Sequence, residues 1–193
     1  MFQVRIHGRG GQGVVTGAEM LSIAAFLGGK HAQAVPSFGS ERTGAPVVAF
    51  CRIDDKAIRL REPVIEPDAL LIQDPTLLHQ VDVFQGLKKD GFILINTNRR
   101  FEEPGLGDFF KGFRPERLRT VPATELALKY VGRAVPNVPL LGGFAAVSGV
   151  ITLDAVISAI RDKFSGKVAD GNIAAATGAY EAVAQQMKEA THA

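Results

Sequence analysis

A glycine-rich segment near the N-terminus has the spacing Gly-x-Gly-x-x-Gly, which occurs where a protein backbone approaches the phosphate groups of a ligand. Glycine suits such a segment because it lacks the Cβ that would clash at positive φ or block the approach. Free N–H groups at the start of a following helix then favour an anion. The segment consists of Gly8, Arg9, Gly10, Gly11, Gln12 and Gly13. It predicts either an anion site or a purely structural turn between a strand and a helix.

A second segment, residues 37–46, combines glycines with the charged pair Glu41 and Arg42 and the hydroxyl of Thr43. The planar guanidinium of arginine binds carboxylate or phosphate with two parallel hydrogen bonds. We expect Arg42 to face such a group and Glu41 to orient it. The alternative is a local ion pair that closes a surface loop and contributes little energy.

Two asparagine-containing segments are further candidates. Asn137 lies between Pro136 and Pro139, which restrict the backbone around a side chain that both donates and accepts hydrogen bonds. Residues 96–98 follow an apolar run, and we interpret them as a turn. The second strand, residues 31–36, ends without the acidic residue that normally binds a ribose hydroxyl, which argues against a self-contained nicotinamide site.

The elements that must position these residues alternate between strand and helix. Strand-like patterns occupy residues 2–7, 31–36, 47–53, 68–74, 91–96 and 118–122, with a short hairpin partner at 58–61. Helical patterns occupy residues 14–28, 76–84 and 124–131, and then 139–150, 152–164 and 170–190. We predict an α/β, Rossmann-like three-layer fold with a mainly parallel sheet, an antiparallel edge and a helical C-terminal third. The carboxyl ends of parallel strands share one edge, so the two glycine-rich segments are expected to meet there.

Composition narrows the functional class. A chain of 193 residues, 46% hydrophobic and 22% charged, is sufficient for one globular domain. A formal net charge of +2 gives no electrostatic reason to expect nucleic acid or an anionic membrane as partner. No apolar run reaches the roughly 20 residues of a membrane helix, and no export signal is recognisable. We expect a cytoplasmic protein.

The chain contains no self-sufficient catalytic set. Cys51 is the only cysteine, so an internal disulfide, a thiolate zinc site and a four-thiolate iron–sulfur cluster are all excluded. The four histidines lack metal-ligand spacing, and no metal site is expected. Nucleophile elbow, Walker loop and Cys–His pair are absent, and residues 169–172 lie too near the C-terminus for a thiamine diphosphate motif.

Three separated segments, residues 7–13, 38–46 and 136–142, together resemble the gamma subunit of 2-oxoacid:ferredoxin oxidoreductases, most closely the pyruvate and 2-ketoisovalerate type. The resemblance extends over nearly the whole chain, and it implies a single gamma-type domain of the catalytic assembly over residues 1–193. The form Glu-Arg-Thr-Gly-Ala-Pro at residues 41–46 is similar to enzymes that act on pyruvate and 2-oxoisovalerate.

This resemblance implies a hetero-oligomeric enzyme that oxidatively decarboxylates a 2-oxoacid to an acyl-CoA and passes electrons to ferredoxin or another acceptor. In that family, alpha and beta subunits bind thiamine diphosphate with Mg, and a delta-type subunit holds iron–sulfur clusters. The gamma subunit is associated with the coenzyme A side of the active site. The hypothesis that follows is that the two glycine-rich segments form one lip of the cleft where coenzyme A meets the thiamine-bound intermediate. Arg42 and Arg9 would neutralise phosphate or carboxylate charge there, and Asn137 would help to shape the pocket.

Three alternatives stay open from the sequence. In the first, the two glycine-rich segments serve only to dock the alpha and beta subunits. The chain could be a stand-alone nucleotide- or acyl-CoA-binding regulatory protein, or a self-contained NAD dehydrogenase, which the missing acid argues against. The 2-oxoacid (pyruvate, branched-chain or aryl), the final acceptor and the subunit copy number are not determined by the residues.

Overall fold

A six-stranded sheet runs through the molecule in the order β2-β3-β1-β4-β5-β6. The computed structural model describes residues 1–36, 42–103 and 105–192, with side chains up to residue 190. The strands are β1 (Phe2–Arg9), β2 (His31–Pro36), β3 (Pro46–Asp54), β4 (Ala69–Ile72), β5 (Phe92–Asn96) and β6 (Leu118–Val121). Strands β1, β4, β5 and β6 are parallel neighbours, whereas β3 is antiparallel to both β1 and β2. The predicted parallel sheet is confirmed, but β3 lies one position inside the edge.

All five α-helices of the described ranges share one hydrophobic core on one side of the sheet, where α1, α3 and α5 pack against the strands and α2 and α4 pack on those helices. They are α1 (Val14–Leu27), α2 (Ala123–Val131), α3 (Asn137–Ser148), α4 (Leu153–Lys163) and α5 (Gly166–His192). The Oγ1 of Thr152 accepts a hydrogen bond from Ala155 N–H (3.1 Å) and caps the start of α4, which is a favoured arrangement for threonine. The helical C-terminal third is therefore confirmed. None of the helices described is long and apolar enough to cross a membrane.

Short 3₁₀ helices and loops, rather than α-helices, cover the opposite face. The 3₁₀ helices are Pro75–His79, Gly107–Phe110 and Pro115–Arg117. The helix predicted over 76–84 is thus reduced to one short 3₁₀ helix. An aromatic cluster stabilises this side: the ring of Phe110 contacts those of Phe84 and Phe101 at centroid distances of 5.5 and 4.7 Å. Residues 99–117 therefore pack their aromatic side chains inward.

The predicted hairpin partner at residues 58–61 is wrong. Those residues form no strand, because both edges of β3 are already paired, with β1 on one side and β2 on the other. The segment instead crosses the sheet face and is held there by the guanidinium of Arg52, which donates to the carbonyl of Glu62. Val64, farther along the same segment, is buried.

The outer edge of β6 is closed by the chain's own groups. The amide of Gln186, on α5, pairs with both backbone groups of Thr120: its Nε2 donates to the carbonyl (2.8 Å), and its Oε1 accepts from the N–H (3.3 Å). Leu118 donates its N–H to the carbonyl of Pro115, and its own carbonyl accepts from Arg119 Nη1 at 2.6 Å. These groups satisfy the edge that a further strand would need.

Candidate functional site

The loops after β1 and β4 leave the sheet side by side. In the parallel pairing of these strands His7 lies opposite Ile72, so that Arg9 and Asp74 come opposite each other just beyond it. Strand β2 runs in the same direction as β1, since both are antiparallel to β3. The expected meeting of strand ends at one edge is therefore confirmed for the described residues.

The glycine loop, residues 10–13, makes a tight turn into α1. Gln12 N–H donates to the carbonyl of Arg9 (3.0 Å), and Gly11 and Gly13 adopt φ values of +94° and +70°. These left-handed values are strained for residues with a side chain, which explains glycine at both positions. Gly13 precedes α1 without any side-chain cap, and the first turn of the helix carries no acidic residue. The first backbone amides of α1 are thus left to an external acceptor.

A cavity of about 290 Å³ opens at this helix start. Its lining combines the glycine loop, the first turn of α1 and one β3 residue: Arg9, Gly10, Gly11, Gly13, Val14, Val15, Thr16 and Val47. The helix dipole and the amides favour an anion there, and no side-chain carboxylate of the lining opposes it. The arrangement is suited to a phosphate or diphosphate group.

The second loop, residues 42–45, is docked on the glycine loop through its backbone. Gly10 N–H donates to the carbonyl of Ala45 (2.9 Å), and Gly44 N–H donates to the carbonyl of Gly10 (3.0 Å). Thr43 forms an isolated parallel bridge with Gly10. A Cβ at Gly10 would lie closer than 3.0 Å to the carbonyl oxygen of Arg42, a distance real Cβ atoms essentially never show. The contact therefore requires glycine.

The guanidinium of Arg9 is bonded to other groups of this chain. Its Nε donates to Asp74 Oδ2 (3.0 Å) and its Nη1 to the carbonyl of Gly44 (3.0 Å). Its Nη2 donates to Thr76 Oγ1 (2.7 Å) and to Gln80 Oε1 (2.9 Å). Four of the five N–H donors of the guanidinium are thus used by internal partners, and the guanidinium joins the loops around it.

Asp74 is the centre of this network. Besides Arg9, its Oδ2 accepts from Gln12 Nε2 (2.9 Å), while its Oδ1 accepts from the N–H (2.9 Å) and the Oγ1 (2.5 Å) of Thr76. Partial burial acts to raise the pKa of Asp74, but the hydrogen bonds from Thr76 and Gln12 and the charge of Arg9 outweigh it, so the pKa lies below its usual value. The carboxylate is ionised at neutral pH.

Arg42 and Thr43 are exposed at the rim of the site. Within the described part of the chain, the Arg42 guanidinium makes no hydrogen bond or ion pair. Glu41, predicted to orient it, lies outside the described residues, so that expectation stays a prediction. Of the two arginines predicted here, only Arg42 has its charged group directed to solvent.

Asn137 lies beneath the glycine loop rather than in the cavity. It is 5% exposed, its Nδ2 donates to the carbonyl of Gly13 (3.1 Å), and its Oδ1 accepts from Val138 N–H (2.9 Å). A Cβ at Gly13 would lie 2.5 Å from Asn137 Nδ2. The start of α3 therefore supports the loop across 124 residues of sequence.

The other asparagine segment has a structural role. Asn96 Nδ2 donates to the carbonyl of Gln73 (2.8 Å) and to Thr124 Oγ1 (2.8 Å), which ties β5 to β4 and α2. A larger cavity, about 690 Å³, lies beside β6 and α5 and contains none of the predicted site residues. In the described ranges no group of three or more His, Cys, Asp or Glu could hold a metal ion.

Asp74, Thr76 and Gln80 are site residues that the sequence reasoning missed. An acidic residue at the end of a buried run was a usable signal for Asp74, because carboxyl ends of parallel strands gather at one edge. Gln80 contributes through Arg9, and Thr76 through both Arg9 and Asp74; no local pattern marks either residue.

Comparison with known proteins gives consistent similarities. Residues 3–182 match the family described as pyruvate ferredoxin/flavodoxin oxidoreductase. The chain is 46% identical over 181 residues to the pyruvate/ketoisovalerate oxidoreductases common subunit gamma of Pyrococcus furiosus, covering 94% of this chain and 96% of that protein. It is likewise 46% identical over 181 residues to pyruvate synthase subunit PorC of Methanothermobacter marburgensis, covering 94% and 97%.

A solved structure extends the similarity to the fold. The crystal structure of pyruvate oxidoreductase subunit PORC from Thermotoga maritima matches with a TM-score of 0.79 at 38% identity, covering 94% of this chain and 96% of that one. These similarities give no support to the alternative of a stand-alone regulatory protein.

Proposed function

Because the chain belongs to the pyruvate ferredoxin/flavodoxin oxidoreductase family, as a gamma-type subunit, we propose that it forms one wall of a cleft shared with other subunits, in which coenzyme A meets thiamine diphosphate. The assembled enzyme converts a 2-oxoacid and coenzyme A to acyl-CoA and carbon dioxide, and two electrons pass to ferredoxin or another acceptor. The relatives' names support pyruvate and branched-chain oxoacids as substrates.

The observation that carries this proposal is the cavity at the start of α1. Its volume of about 290 Å³ accommodates a diphosphate but not a whole coenzyme A molecule. The chain therefore supplies the anion-binding part of a larger site, through Gly10, Gly11 and Gly13 and the first amides of α1. Gly8, buried in β1, and Gln12, whose amide is bonded to Asp74 and Arg9, support this part from behind. Partner subunits cover the rest of the ligand.

Arg42 takes the role of the charged group in this proposal. The guanidinium of Arg9 is occupied by Asp74 and by the Gly44 carbonyl, so it holds the loops instead of contacting the ligand. Arg42 is exposed beside the cavity, Thr43 adds a hydroxyl at the same rim, and Glu41 is the proposed carboxylate partner of Arg42. Asn137 acts from beneath by fixing Gly13.

The redox cofactors belong to neighbouring subunits in this proposal. Cys51 is the only cysteine, so this chain cannot supply the four thiolates of an iron–sulfur cluster. The residue is buried in the sheet, and burial raises the pKa of its thiol, so it does not act as a nucleophile. Alpha and beta subunits would hold thiamine diphosphate and Mg, and a delta-type subunit the iron–sulfur clusters. This chain contributes positioning and electrostatics alone.

Replacing Arg42 by Ala tests the proposal in the purified native complex. A hydrogen bond from a charged group to phosphate contributes about 1.5–3 kcal/mol, so we expect the KM for coenzyme A to rise about 10- to 150-fold. The KM for the 2-oxoacid should not change, since Arg42 does not contact it.

The matched control is Arg61→Ala, which removes another exposed arginine, in the segment between β3 and β4. An unchanged KM for coenzyme A in an intact Arg42→Ala complex would refute the cleft role. Loss of the other subunits during purification would show instead that the loop docks partners.

A further inference from the structure

Asp74 accepts four hydrogen bonds, two at each carboxylate oxygen. Oδ2 receives Arg9 Nε and Gln12 Nε2, and Oδ1 receives the N–H and the hydroxyl of Thr76. Its side chain is 14% exposed and that of Arg9 19%. Asp74 does not line the cavity at the start of α1, so any effect it has on a ligand there must act through its partners.

Through these partners the carboxylate reaches both loops of the site. Gln12 belongs to the glycine loop, and its Oε1 also accepts from Arg9 N–H at 2.8 Å. Arg9 in turn donates to the carbonyl of Gly44 in the second loop, at 3.0 Å. One partly buried anion thus holds the turn that starts α1 and the loop that carries Arg42.

We propose that Asp74 is a positioning residue that sets the spacing between the α1 amides and the loop carrying Arg42, and thereby the affinity of the assembled enzyme for coenzyme A. This inference rests on the proposed function. Asp74 lies just after β4, outside every segment that the sequence resemblance used.

The carboxylate cannot be replaced by its own amide without damage. Each oxygen of Asp74 faces two donors. An asparagine would direct its NH₂ group at one of these donor pairs, whichever way the amide is turned. It would also leave the Arg9 charge without its anion, although it has the same size and shape as aspartate.

The test is Asp74→Asn in the native complex, with Asp68→Asn as the matched control. Asp68 precedes the same strand at its other end, is similarly half-buried, pairs with Lys88 (2.7 Å) and accepts from Gln3 N–H (2.8 Å). We expect Asp74→Asn to raise the KM for coenzyme A at least tenfold, with kcat and the KM for the 2-oxoacid within twofold of the wild type. Asp68→Asn should leave all three constants unchanged.

Hydrogen exchange of the same complexes gives a second measurement. The amides of Gly10 and Gly44 donate between the two loops, so we expect their exchange to be at least tenfold faster in Asp74→Asn and unchanged in Asp68→Asn. Adding Arg9→Ala to Asp74→Asn should cause little further loss, because the two residues act as one unit.

The outcomes separate the two levels of inference. Unchanged exchange in Asp74→Asn would overturn the positioning role, whatever happens to the KM. Faster exchange with an unchanged KM for coenzyme A would refute the cleft on which the inference rests. Equal effects of Asp74→Asn and Asp68→Asn on the KM would reduce the role of Asp74 to general stability and also overturn it.

Discussion

Gly10→Ala is the smallest change that separates the two loops of the site. The added methyl group would come closer than 3.0 Å to the carbonyl oxygen of Arg42, and backbone cannot yield as a flexible side chain does. Neither the charge nor the amides of the cavity are altered. The substitution therefore isolates the contribution of loop spacing.

The size of the effect follows from the bonds that hold the loops. Moving residues 42–45 away breaks two backbone hydrogen bonds, Gly10 N–H to the Ala45 carbonyl and Gly44 N–H to the Gly10 carbonyl. At about 0.5–1.5 kcal/mol each, the docked arrangement loses about 1–3 kcal/mol. This corresponds to a decrease of about 5- to 150-fold in its population.

Steady-state kinetics of the native complex measure this loss. We expect kcat/KM for coenzyme A to decrease by that factor, with kcat/KM for the 2-oxoacid at saturating coenzyme A unchanged. The control is Gly107→Ala, where a Cβ would meet the carbonyl oxygen of Phe101 just as closely, outside the two loops of the site. If both variants lose the same factor, or if Gly10→Ala retains full activity with coenzyme A, the reasoning from loop spacing is wrong.

Two further predictions concern the isolated chain. Burial and the nearby charge of Arg5 lower the pKa of His7 to about 4 from 6.5, so the folded state resists its protonation. The free energy of unfolding should therefore be highest above pH 6.5 and fall by about 3 kcal/mol towards pH 4 because of His7. The variant His7→Gln should lack this part of the pH dependence, and parallel pH curves of the unfolding free energy for wild type and variant would contradict the prediction. Gly142→Ala should cost about 1–3 kcal/mol in urea unfolding, because its Cβ would overlap the Ala176 carbonyl where α3 crosses α5. Gly178→Ala, whose nearest neighbour is the flexible side chain of Leu126 at 3.2 Å, should be neutral or slightly stabilising, and equal losses would refute the close crossing.

Local patterns account for the parts of the fold that the sequence could predict. The strand at residues 2–7, the glycine loop and the helix at 14–28 are predicted from neighbours within a few residues, and the structure confirms all three. The alternation in β1 does not mark a half-buried strand, however, because Arg5 and His7 are buried as well. The buried runs that became β4 and β5 were equally recognisable, because strands buried on both faces are almost continuously apolar.

Relations between distant segments could not be predicted. Whether Arg9 binds a ligand or Asp74 depends on the register of two strands that are 65 residues apart, and the sequence shows only the charge. The predicted hairpin partner at 58–61 failed for the same reason, since the order of strands leaves β3 no free edge. Only the family resemblance suggests that Asn137 shapes the pocket, and no local pattern indicates its bond to Gly13, which spans 124 residues.

The side-chain amide of Gln186 is hydrogen-bonded to the backbone of Thr120, so the two edges of the sheet differ in the backbone groups they leave free. Because β6 offers no available backbone donor, a visiting chain can extend the sheet only beyond β2, whose outer side has no strand partner in the ranges described. If two molecules paired through β2, the free edge of each sheet would be occupied by the other molecule. Edge-to-edge self-association of this protein is consequently self-limiting: it ends at a pair and cannot propagate into a fibre.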